Sequence, residues 1–152
     1  MAKQKFGFDV VLANFRQNEM KLIRVLAVAN KNYFVESFKR QAWGNKPWQE
    51  VKRRIKGTYE YKYPKRKDLS RRRKPILVKN GILRRKVSTS IKQVTTKEIK
   101  FGVDLPYAAI HNEGLRMVNG RKMPKRQFMG WNKEIGALNK RTIDQFVLNS
   151  FK

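Results

Sequence analysis

The sequence predicts an α+β fold, and three observations carry that prediction. Apolar residues recur at steps of three and four over Glu19–Arg40, alternate over Val87–Ile91 and Ile99–Val103, and return to a helical spacing after Asn132. A chain of 152 residues with 40% hydrophobic content is long enough to bury one core, so a single domain over residues 1–152 is expected. The arrangement expected is a long N-terminal helix and a C-terminal helix packed on a small antiparallel sheet, with a long basic loop between them.

In the first helix, Leu22, Ile23, Leu26, Ala27, Phe34 and Phe38 share one face. At 1.5 Å per residue this segment spans about 33 Å. The preceding apolar stretch, Phe8–Phe15, is compatible with a strand or a short helix. The repeat ends at AWGNKPW, where Gly44 and Pro47 break it. Trp43 and Trp48 there are expected to close the end of the helix as a core plug.

Residues 41–75 hold thirteen Lys and Arg against three acids, and eight of the thirteen residues from Lys62 to Lys74 are basic. No apolar period survives beyond Tyr63, so residues 58–75 are expected to form an extended or flexible basic loop. Order returns at ILVKNGILRR, with Ile76, Leu77, Ile82 and Leu83 flanking an Asn-Gly pair. KVSTSIKQV and EIKFGV then form two strands, and the polar TTK between them suits a hairpin. PYAAIHNEG has the spacing of a short helix ended by Gly114. Asn132 caps a last helix that runs to about Ser150, with Glu134 in its first turn. Ile135, Leu138, Phe146, Val147 and Phe151 would form its buried side. Gly136 weakens this helix by about 1 kcal/mol, which calls for packing support from the sheet.

Charge narrows the function. Thirty-seven Lys and Arg face eleven Asp and Glu, a formal charge of +26. A solubilising surface mixes both signs, whereas an excess this large fits a polyanion neighbour. The candidate contact residues in the basic tract are Lys62, Lys65, Arg66, Lys67, Arg71, Arg72, Arg73 and Lys74. They would displace counterions from phosphate, while Tyr59, Tyr61 and Tyr63 could stack on exposed bases. The same tract also suits a solvated loop or an arm that orders on assembly. No sequence-reading DNA or RNA motif accompanies it. The loop Leu115–Lys122 adds Arg116, Arg121 and Lys122 as a second docking or DNA-facing arm.

Catalysis is poorly served. The chain has one histidine, His111, with Glu113 and Asp104 nearby, and a nuclease metal site would need more ligands than this trio provides. Glu50 and Glu60 lie among Lys and Arg, as ordinary ionised carboxylates do. No phosphate-binding loop, nucleophile elbow or dinucleotide fingerprint is present. The expectation is no enzyme, no cofactor and no metal. Cysteine is absent, which excludes disulfides and leaves the compartment open. The N-terminus lacks a secretory signal pattern, and the longest apolar run is five residues, so a soluble chain in the cytoplasm of synthesis is expected.

Several motifs occur in a fixed order: Phe38, Trp48 after a Gly/Pro turn, ILVKNGILRRKV, YAAIHNEG and MPKRQFMGW. As a set they resemble the bacteriophage virion morphogenesis family, which includes the Mu-like G protein and tail completion proteins of contractile-tailed phages. The matching positions are Ile76, Leu77, Gly81, Leu83 and Arg84, then Tyr107, Ala108, His111 and Gly114, then Met123, Pro124, Arg126, Phe128 and Gly130. Gln127 stands where proline is common, Met129 replaces leucine, and the tract over residues 62–74 is unusually basic. The resemblance implies a structural protein of the phage neck or tail end. Such a protein joins head to tail as a ring or docked on one, with portal, connector or tail proteins as partners. It implies a place in the virion, with host cytoplasm as the site of assembly. The motif residues, with Trp131, are then the candidate interface. Phe128, Met129 and Trp131 suit either the core or an intersubunit anchor. The alternative resting on charge alone is a cellular nonspecific nucleic-acid-binding protein of ribosome or nucleoid.

Overall fold

The computed structural model describes residues 8–64 and 69–150. Helix α1 runs from Phe8 to Arg40, 33 residues, so the ambiguous stretch before Glu19 is helical. Its length is about 50 Å rather than the 33 Å expected. It ends at Gln41, whose φ of 55° turns the chain out of the helix. The Gln41 side chain then receives the backbone N–H of Ile76 and donates to the carbonyls of Phe38 and Ile76. One side chain thereby fastens the segment after the basic tract to the end of α1.

Strands β1 (Ala42–Trp43) and β2 (Lys46–Pro47) form a tight antiparallel turn. It places Trp43 and Trp48 in the core, as the plug reading requires. A 3-10 turn over Lys52–Arg54 leads to a one-turn helix α2 (Tyr59–Lys62), capped by the Thr58 side chain. A second 3-10 turn covers Leu69–Arg72. Where it is described, the basic tract is therefore coiled in short helical turns and is not extended. Arg72 explains part of this: its guanidinium lies 4.1 Å over the Tyr61 ring and donates to the Tyr61 carbonyl.

Helix α3 (Ile82–Ser88) begins directly after Gly81. This corrects the strand expected over Val87–Ile91. Leu83 and Val87, four residues apart, are both buried on one helical face, so a period of two and a period of four coincide over so short a run. The hairpin is β3 (Ile91–Val94) and β4 (Ile99–Phe101), antiparallel, with Ile91 opposite Phe101 and Val94 opposite Ile99. The two hairpins are separate two-stranded sheets and are not one sheet. Helix α4 spans Pro106–Glu113, with Pro106 in its first turn and Gly114 as its left-handed cap. Helix α5 spans Lys133–Ser150, and the Asn132 side-chain oxygen Oδ1 caps it by receiving the Ile135 N–H at 2.8 Å.

Helix α5 packs chiefly on α1, where the sequence led us to expect the sheet. Tyr33 of α1 donates to Glu134 and receives from Asn132, each at 2.8 Å, and Arg40 pairs with Glu134 at 3.2 Å. Ile135 is buried, Leu138 and Phe146 are half-buried and Val147 is exposed, while Phe151 lies outside the described residues. The core is built around Phe34, Phe38, Trp43, Trp48 and Phe128. Trp48 meets Phe38 edge-on at 5.5 Å and Phe128 tilts against Phe38 at 5.4 Å. Among the described residues no helix is long and apolar enough to cross a membrane.

Candidate functional site

The YAAIHNEG and PKRQFMG segments, separated in sequence by residues 115–123, are bound to one another in the fold. Asn112 is the link. Its side-chain oxygen receives the backbone N–H groups of Phe128 and Met129 at 2.9 and 3.0 Å. A second tie runs from the Arg126 N–H to the His111 carbonyl at 2.8 Å. At Gly114 the backbone holds φ at 71°, and an added Cβ would stand 2.9 Å from the Lys125 backbone nitrogen. Only glycine fits that close a crossing in that conformation.

The loop between these ties folds back on itself. Met123 N–H donates to the Leu115 carbonyl, Met117 N–H to the Arg121 carbonyl, and Arg116 pairs with Lys122 in a single antiparallel bridge. Arg116 also donates to the Gly120 carbonyl. The loop is therefore a small closed finger, with Arg116, Arg121, Lys122 and the apolar Val118 all exposed.

Of the motif residues, Ala108 and Phe128 are core, Pro124 is half-buried, and Tyr107, Gly130 and Trp131 are exposed. Phe128 (1% exposed) is thus a core residue, Met129 packs at the core edge, and Trp131 (69% exposed) is not buried. The Trp131 ring does cover Gly136 of α5, where a Cβ would meet it at 3.2 Å. The glycine that weakens the helix is the one that lets the ring lie against it.

Arg126 is a buried cation at 5% exposure. Its Nε donates to the Gln49 carbonyl at 3.0 Å. Burial first, and then the Arg53 charge, hold its guanidinium below the usual arginine range, with Glu50 acting in the opposite direction. Beside it, the buried Nδ1 of His111 has no hydrogen-bond partner among the described residues. Both line a cleft of about 540 Å³ between the 51–54 turn, the 74–83 segment and α4. Lys74 of the basic tract, Tyr107 and Met123 line the same cleft. The structure thus brings Lys74, Tyr107, His111 and Arg126 together.

The rest of the tract is distributed differently. Lys62, Arg73 and Lys74 are exposed, Arg72 is engaged with Tyr61, and Lys65, Arg66, Lys67 and the side chain of Arg71 lie outside the described residues. Of the three tyrosines, Tyr61 is covered by Arg72, while Tyr59 and Tyr63 lie 5.0 Å apart and exposed. Asp104 is paired with Lys92, and Glu113 with Lys125 at 3.9 Å. Among the described residues no three His, Asp or Glu side chains cluster as metal ligands would.

Two residues at the site were not singled out from the sequence. Asn112 sits inside the HNEG motif, and its signal was an amide in the last turn of a short helix. Arg53 lines the cleft and donates to the carbonyls of Lys74 and Pro75 at 3.0 and 3.4 Å. Nothing local in KRR marks it apart from its neighbours.

His111 gives the site a pH signature. Burial, and then the Arg126 charge, hold its pKa below the ordinary 6.5. The unfolded chain therefore takes up this proton before the folded one does as pH falls. The stability linked to His111 is full above about pH 6.5 and is lost below it, until the folded state is protonated too. A His111→Gln variant is expected to show a flatter stability profile than the wild type between about pH 7 and pH 5. Urea midpoints across that range measure it, and parallel profiles would refute it.

A family model described as the phage virion morphogenesis family matches residues 6–150. No curated protein and no solved structure matches the chain.

Proposed function

Because the chain belongs to the phage virion morphogenesis family, we propose that it completes the tail or joins head to tail, at the neck or tail end of the particle. Family membership implies a structural role in the virion, exercised through other virion proteins. The finer reading rests on one observation. The two motif segments are clamped together by Asn112 and Arg126, and between them they hold a cationic finger out from the body. A finger with fixed ends loses little conformational entropy on docking. Portal, connector or tail proteins are its proposed partners.

Head-to-tail copies that close by rotation make a ring, and a ring beside a DNA channel is stabilised by a positive lining. The charge of +26 supports such a place, with nonspecific contact to the DNA backbone. We place the chain in the host cytoplasm before it enters the particle. The cellular nucleic-acid-binding alternative has only the charge in its favour, and charge serves both readings equally.

The test is particle assembly. Phage lacking the chain are expected to yield heads and tails that do not join or tails that are unfinished, seen by electron microscopy. Complementation with a variant carrying Glu at 116, 121 and 122 is expected to restore at least about tenfold fewer finished particles than the wild type, since like charges at a docking surface cost several kcal/mol. Normal particles without the chain would sink the reading.

A further inference from the structure

The cleft beside Arg126 has no role in the reading above, and its composition is unusual. Among the described residues, four cations line it: Arg53, Lys74, Lys79 and Arg126. No Asp or Glu among the described residues lines it. Its remaining wall is largely apolar, including Ile76, Leu77, Leu83 and Met123. Lys74 and Lys79 are exposed and mark the rim, while Arg126 lies deep. A deep guanidinium normally has a carboxylate for company, because its desolvation is costly otherwise. Here, among the described residues, Arg126 forms no ion pair, and the buried His111 Nδ1 next to it is unpartnered as well.

We propose that this cleft receives a segment of another protein that carries an aliphatic side chain followed by a carboxylate, with the carboxylate seated on Arg126 and the aliphatic group against Leu77, Leu83 and Met123. A planar guanidinium and a carboxylate match in geometry as well as charge. The aliphatic wall supplies the apolar burial that a bare anion would not use.

Two other occupants fit less well. Duplex DNA presents its phosphates on a convex surface about 20 Å across, and these reach exposed lysines rather than a nearly buried arginine at the back of a cleft. A second copy of this chain brings +26 with it. Six of its acids, Glu36, Glu50, Glu98, Asp104, Glu113 and Glu134, are already paired with its own Lys or Arg. The partner is therefore a different, acidic chain. This assignment rests on the assembly reading and gives that assembly a specific docking point.

The probe is the peptide acetyl-Ala-Leu-Leu-Asp-Glu, compared with its uncharged counterpart acetyl-Ala-Leu-Leu-Asn-Gln-amide and with a twenty-base-pair DNA duplex. His111 is the chain's one histidine, so its ring resonances report on the cleft without overlap. The acidic peptide is expected to move the His111 ring and Arg126 Nε–H signals, and the uncharged peptide to bind at least about tenfold more weakly. Lys79→Glu is expected to weaken the acidic peptide about fivefold or more, while Lys97→Glu, which makes the same change in net charge away from the cleft, alters it less than about twofold. Arg126→Gln is expected to abolish the response, and the exposed Lys79 keeps the test open if that variant does not fold.

Equal losses in the Lys79 and Lys97 variants, or equal binding of the two peptides, would overturn the assignment. So would DNA moving the His111 and Arg126 signals in preference to the acidic peptide. Those results leave the assembly reading standing, whereas normal particles formed without the chain remove that reading whatever the peptide does.

Discussion

Phe128→Ala is expected to destabilise the fold by about 3–5 kcal/mol, the range for deleting a fully buried aromatic. The ring is 1% exposed and packs against Phe38, which in turn meets Trp48. Losing it removes transfer free energy and leaves a cavity bordered by aromatic rings that are held elsewhere. Trp48 cannot swing into the space without giving up the bond from its Nε1 to the Gln127 carbonyl at 2.7 Å. Domains of this size have about 5–15 kcal/mol in total, so the variant would lose a large fraction of its stability. Denaturant unfolding checks this, and a loss below about 1 kcal/mol would show that the segment after Pro124 is peripheral to the core. Phe128→Leu, which keeps most of the volume, is expected to recover more than half of the loss.

Asn112→Ala is the second large effect, at about 2–3 kcal/mol. One side-chain oxygen satisfies two backbone N–H groups, and its removal leaves both without their acceptor in a part-buried place. Each such group costs about 1–3 kcal/mol, and water that enters the space reduces the sum. The side chain is also what closes the YAAIHNEG turn onto the FMG exit, so amide hydrogen exchange at Phe128 and Met129 is expected to accelerate by more than the global loss explains. Asn112→Asp keeps the acceptor and is expected to restore the slow exchange. Unchanged exchange in the alanine variant would mean that the two segments are held together by core packing alone. In the proposed docking role, the same variant gives a weaker element, because a finger with one free end loses more conformational entropy on binding than one with two fixed ends.

The elements with strong local signals were legible. Asn132 before an apolar period, Gly114 after one, and the TTK turn between two alternating runs each commit the backbone within a few residues. The errors fall where a short apolar run suits two periods. Leu83 and Val87 are spaced for a helix, while Val87 and Ile91 continue a pattern compatible with a strand. Burial of Leu83 under α1 decided between them. The site was legible only in part. His111, Arg126 and the basic finger carry recognisable residue types, but Asn112 and Arg53 act through partners 16 and 21 residues away. No pattern in a linear chain encodes that distance.

Composition and periodicity alone determined that the chain is α+β, that it carries a formal charge of +26, and that a basic loop lies between two motif segments. These follow from local backbone preference and from summed charge, which depend on which residues are present and how they alternate. The tertiary structure decided that α5 lies on α1, that Phe128 and Trp131 part company between core and surface, and that Arg53, Lys74, Lys79 and Arg126 meet around one cleft with no acid among its described lining residues. Those outcomes depend on which apolar faces cover one another, a choice made by the whole chain at once.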